Sequence, residues 1–136
     1  MRRVLLSAIL VIAFFSCAAN SAENRSLVES IMVRALLERG AFLACAQKDN
    51  DKEAIDALTR GWNADLADTA KLLRESGYAE DYVGKLAGRF TLETGTPKFA
   101  DPAALAKFCA MLGDWKTRYS QLLALFPSIE IKHDQH

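Results

Sequence analysis

The sequence predicts an all-α protein, an antiparallel four-helix bundle stapled by one disulfide between its first and fourth helices. Three observations carry that prediction. Apolar residues recur at steps of three and four in four stretches. Strand signals are missing, because no hairpin dipeptide separates alternating runs and β-branched residues never cluster. Two cysteines, Cys45 and Cys109, fall on the first and last of those stretches.

Ahead of the helices, Arg2 and Arg3 precede an apolar run from Val4 to Phe15, and Ser16, Cys17, Ala18 and Ala19 follow. That order reads as a secretory signal peptide over residues 1–22, with cleavage expected between Ala18 and Ala22. The run is about a dozen residues, short of the ~20 that a membrane-crossing helix needs, and no membrane span is expected in the mature chain. A lipid anchor at Cys17 is the lesser alternative. Its signal would place an aliphatic and two small residues before the cysteine, where Phe14, Phe15 and Ser16 stand. The expected location is periplasmic or secreted.

Loss of Arg2 and Arg3 lowers the basic count from 17 to 15 against 17 acidic groups, a net charge of about −2. No basic cluster suggests nucleic acid or an anionic membrane surface. Residues 23–127 then form a single bundle domain, and 128–136 a short polar C-terminal tail. A chain of this size buries a core, and a covalent crosslink helps it.

The first helix is expected to open at "SLVE", where Ser26 and Glu29 have the spacing of a capping box, and to run to about Gln47. Val28, Ile31, Met32, Ala35, Leu36, Phe42, Leu43 and Ala46 share one broad face. The second starts at "NDKE", again a capping residue with a glutamate three later, and stops at Gly77. Its inward positions are Ile55, Leu58, Trp62, Leu66, Thr69 and Leu73. A third, about 80–93, turns Tyr82, Val83, Leu86 and Phe90 inward. After the "TGTPKFADP" break, Asp101 and Pro102 supply a cap and a first-turn proline. The last stripe is Leu105, Phe108, Leu112, Trp115, Tyr119, Leu122 and Phe126, ended by Pro127.

In an up-down-up-down arrangement the first helix ends where the fourth begins, which brings Cys45 and Cys109 to similar heights. At a rise of about 1.5 Å per residue the mismatch is roughly 12 Å or less, within reach of loops and tilt. In an oxidising compartment the two thiols should pair. Closing a loop of about 65 residues stabilises a fold by about 4 kcal/mol in the chain-entropy account.

The competing chemistries lack their partners. A redox site wants two cysteines two residues apart and a zinc site wants four ligands in close pairs; neither pattern occurs, and no metal or cofactor is expected. His133 and His136 lie in the tail, too far out for a haem ligand or a hydrolase triad. Asp65 with Asp68, and Glu80 with Asp81, are carboxylate pairs of the kind that cover exposed helix faces. No catalytic residue is expected.

Arg39 stands out, because it falls inside the apolar arc of the first helix. It either snorkels to the bundle edge, pairs with a carboxylate such as Asp65, or binds an anionic ligand. The last role is that of arginines in helical chorismate mutases, whose accompanying arginine, lysine and glutamate pattern is not recognisable here. Trp62 and Trp115 lie on core stripes. In the long connection "RFTLETGTPKFAD", Arg89, Thr94, Lys98 and Phe99 form the expected recognition patch, since irregular loops on a rigid scaffold carry binding residues.

Together these features predict a small exported binding protein with a protein partner in the cell envelope, such as an inhibitor, immunity protein or adaptor. On the placement of Cys45 and Cys109 the layout resembles helical immunity proteins directed against secreted cell-wall amidases. The alternatives are a bundle-cavity enzyme of the chorismate-mutase type and an acid-stress chaperone switched by carboxylate protonation.

Overall fold

The structure, a computed structural model, describes residues 18–122 and 126–134, with side chains for 25–121 and 126–134. Cys17 and most of the expected leader lie outside the described residues. Within them the chain is all-helical, with seven helices and no strand. These are α1 (Ala18–Lys48), α2 (Lys52–Glu75), α3 (Glu80–Arg89), α4 (Leu92–Gly95), α5 (Pro102–Leu112), α6 (Trp115–Leu122) and α7 (Pro127–Asp134).

Helices α1 and α2 form a long hairpin. All eight apolar residues expected on the inner face of α1 are buried. The turn between the helices places Asn50 at φ 52°, and Asp51 accepts from the Ala54 amide at 3.1 Å. The cap of α2 is therefore Asp51, one residue later than "NDKE" suggested, because Asn50 occupies the left-handed turn position. Ser26 caps nothing: α1 begins at Ala18 and runs through it. Helix α1 is the hub, packing against α2, α4, α5, α6 and α7, while α2 also packs against α3 and α7.

Beyond α2 the helices are shorter than the sequence reading expected. The third stretch divides at Thr91, whose side chain accepts from the Thr94 amide and starts the single turn of α4. The last stretch divides at Gly113, whose φ of 64° ends α5. Asp114 then restarts the helix by accepting from the Thr117 amide at 3.2 Å and hydroxyl at 2.6 Å. Residues 128–136 were expected as a polar tail, but 128–134 belong to α7. Pro127 opens this helix, and both Pro127 and Ile131 are buried.

Two elements fix α4 and α5 to the hub. At the crossing of α1 and α4 the backbones touch: a Cβ on Gly40 would collide with the Gly95 carbonyl, and one on Gly95 would lie 2.8 Å from the Leu36 carbonyl oxygen. Only glycine allows that approach. At the next turns of α1, Cys45 is bonded to Cys109 of α5, with a Cα separation of 5.6 Å. The Cys45 side chain is wholly enclosed.

Candidate functional site

Helix α5 reads "PAALAKFCAML", with Lys107 its one charge in eleven residues. Asp101 caps it through the Ala103 amide at 2.9 Å. Such a composition belongs in an interior, yet Cys109 is its one buried side chain. Leu105, Phe108 and Leu112 are half-buried against the core, while Ala103, Ala104, Ala106 and Ala110 face water and Met111 is 79% exposed.

Beside α5 lies a groove of about 620 Å³. Leu43 and Ala44 of α1 and Leu105 of α5 give it apolar walls, and Pro97 and Phe99 close one side. The Phe99 ring is itself held by Phe108, with centroids 5.1 Å apart. Lys48, Lys98 and Glu93 bring charge to its edges. Lys48 also pairs with Asp49.

The structure therefore separates the expected recognition patch. Lys98 and Phe99 line the groove. Arg89 instead forks onto Glu29 with contacts of 3.1 and 3.3 Å, tying α3 to α1. The Thr94 hydroxyl donates to the Thr91 carbonyl at 2.7 Å, within α4. Lys107 and Met111 were not singled out from sequence. Their signal was the near absence of charge along α5, which periodicity alone assigns to the core.

A second polar cluster lies between α1 and α2. Arg39 pairs with Asp65, Nε to Oδ2 3.2 Å, with the two side chains 5% and 3% exposed. Its Nη1 donates to the Ala35 carbonyl at 3.3 Å, and the guanidinium lies 5.6 Å from the centre of the Trp62 ring. Trp62 donates in turn to the Phe90 carbonyl at 2.7 Å. Burial pushes the Asp65 carboxyl up to about 6, with Arg39 pulling it back and Asp68 adding to the rise. Tyr119 of α6 closes the cluster. Burial also raises its phenol, and a Cβ on Gly61 would lie 2.5 Å from its hydroxyl.

Of the three roles open to Arg39, the structure selects the carboxylate pair. The guanidinium also lines a groove of about 430 Å³ between α1 and α7, whose other charged residues are Arg34, Glu38, Glu130, His133 and Asp134. Arg39 is thus already paired with Asp65, and the groove it lines carries charges of both signs. Asp68 is exposed while Asp65 is buried and paired with Arg39, and Glu80 is engaged by Arg74 at 2.8 Å. Trp115 stacks on Phe42, centroids 5.7 Å apart, inside the core. His133 is exposed, and among the described residues no group of three metal-ligating side chains comes together.

No family model, curated protein or solved structure matches the chain.

Proposed function

We propose that this chain is an exported protein-binding module of the cell envelope, with α5 and the adjoining groove as its contact surface. The observation that carries the reading is the exposure of α5. An almost uncharged helix displayed on the outside of a small domain loses free energy to water, and such surfaces mark protein interaction sites. The surface is rigid, since a disulfide holds α5 and the Gly40–Gly95 contact holds the segment leading into it. A pre-ordered surface binds without an ordering cost.

The partner offers a segment with an apolar anchor for the groove and acidic residues for Lys48, Lys98 and Lys107. Export rests on the leader pattern of residues 1–22 and on a disulfide that an oxidising compartment sustains. A four-helix origin also fits the packing, with α3–α4 and α5–α6 as interrupted third and fourth members.

The test pairs capture with reconstitution. A protein retained by the wild-type chain from envelope extract is purified and titrated against wild type and the double variant Lys98→Glu, Met111→Glu. The expected result is a one-to-one complex weakened at least tenfold by the variant, with an unchanged melting temperature. Equal affinity for both chains would overturn the assignment of the surface. A leader still present by intact mass in envelope material would overturn the export reading.

A further inference from the structure

We propose that the chain pairs with a second copy of itself through the outer face of α1, as a parallel two-fold dimer over residues 26–37. Three of the five large apolar side chains exposed among the described residues, Leu27, Val33 and Leu37, stand on that one helix. Ser26, Ser30, Val33 and Leu37 recur at steps of four, three and four, and all are exposed. With Glu29 and Arg34 they line a shallow depression of about 530 Å³, to which no other helix contributes a wall among the described residues. Such spacing is the seam of a two-stranded coiled coil, in which each side chain enters a gap on the facing helix.

The next seam position after Leu37 is Gly40, and there the seam is already in use, because the backbone of α4 lies directly on it. The bare stretch therefore continues an interface that the fold itself closes, and it ends where α4 begins to cover the helix. From Ser26 to Leu37 it extends about 17 Å, at a rise of about 1.5 Å per residue. A contact that short lies at the weak end of specific interfaces, so the pairing is reversible.

The chemistry of the strip says which occupant fits. In a parallel two-fold pair each seam residue meets its own copy and must be compatible with itself. Val33 and Leu37 meet as apolar pairs, and a serine hydroxyl both donates and accepts. Glu29 and Arg34 flank the seam on opposite sides, five residues apart, the spacing at which flanking residues of parallel helices reach each other. Glu29 of one copy thus faces Arg34 of the other, twice across the axis. An antiparallel pair would instead bring the two Glu29 edges together and the two Arg34 edges together. Within the chain Arg89 holds Glu29 and Arg34 holds Glu130, yet the Arg34 side chain stays 65% exposed and that of Glu29 34%. The dimer extends each of these pairs into a row of alternating sign.

The two-fold axis runs along α1, and α5 is bonded near the C-terminal end of that helix at Cys45, so both α5 surfaces emerge at the same end of the dimer. Where α5 is the contact surface proposed above, the dimer is bivalent and gains avidity toward a partner that offers two sites. The pairing itself does not rest on that reading.

The test is sedimentation equilibrium of the purified chain alone, with its disulfide formed, from about 10 µM to about 1 mM. The mean mass should rise from one chain toward two, with a dissociation constant of about 100 µM. Leu37→Glu should weaken pairing at least tenfold without shifting the melting temperature, since the side chain is 56% exposed. Glu29→Arg and Arg34→Glu should each weaken it at least threefold, and the two together should restore it. The double exchange loses the contacts to Arg89 and Glu130 just as the single ones do, so recovery reports the contact between copies. A single-chain mass throughout would overturn the proposal, as would a dimer that survives Leu37→Glu. A dimer abolished by Met111→Glu would belong to α5 and would overturn it too.

Discussion

The α1–α2 hairpin and the five helices that follow it are built on different principles. The hairpin consists of two long helices whose apolar faces bury side chain against side chain at helical spacing. The interior Arg39–Asp65 ion pair is an interruption. From α3 onward the helices are 4 to 11 residues long, shorter than an isolated helix needs to persist in water. Each adds only a few side chains to the core, such as Val83, Leu86, Trp115 and Ile131, and discrete devices supplement them: a backbone crossing, a covalent bond, a forked ion pair and a set of caps. A perturbation of the hairpin should therefore spread, and a perturbation of a single device should free one short helix.

The largest effect should follow loss of the disulfide. Cys109→Ala with Cys45→Ala is expected to remove about 4 kcal/mol of stability, measured by urea unfolding. Hydrogen exchange should show the loss concentrated in α5. A uniform loss across α1 and α2 would dissolve the distinction between the two regions.

Breaking the interior pair comes next. Asp65→Ala leaves the Arg39 guanidinium enclosed without its counter-ion and should cost about 3 kcal/mol, whereas Asp65→Leu combined with Arg39→Met should recover most of it. A double variant as unstable as the single would mean that the pair itself supports the hairpin. Two glycines give a smaller contrast. Gly40→Ala should lose about 2 kcal/mol, because its methyl meets the α4 backbone. Gly84→Ala on open α3 should gain about 0.5–1 kcal/mol through helix propensity.

Acidity separates the regions without any gross unfolding above pH 4. Lys116 holds Asp51, Arg74 holds Glu80 and Thr117 holds Asp114 below the ordinary carboxylate range. Their support is present above that range and is lost as pH falls through the lowered values. Asp65 works in the opposite direction. Its folded value is raised to about 6, so the cost of its charge sets in as pH rises through that value. The melting temperature should climb modestly from pH 7 to 5 and fall below 4, and Asp65→Asn should abolish the climb.

Much of the hairpin was legible in the sequence. The inner face of α1, the Asp101 and Pro102 start of α5, and the pairing of Cys45 with Cys109 all stand where the sequence reading placed them. The interruptions were legible in principle but outweighed by periodicity. "LGDWKT" contains a left-handed stop followed at once by a capping aspartate, and the stripe Leu112, Trp115, Tyr119 continues across it undisturbed. Pro127 was expected to end a helix, yet a proline fits the first turn of a new one equally well. The groove beside α5 had no sequence signature, because its walls come from three separate segments. Gly40 gave no sign of its role, since a glycine in a helix looks merely unfavourable until its neighbour is known.

The covalent seat of α5 has a consequence for when the molecule becomes adhesive. This greasy strip is joined to α1 by the Cys45–Cys109 bond as well as by the half-buried Leu105, Phe108 and Leu112. Under the proposed export reading the crosslink works as a timing element, which sets the proposed contact face once the polypeptide reaches a compartment where thiols couple.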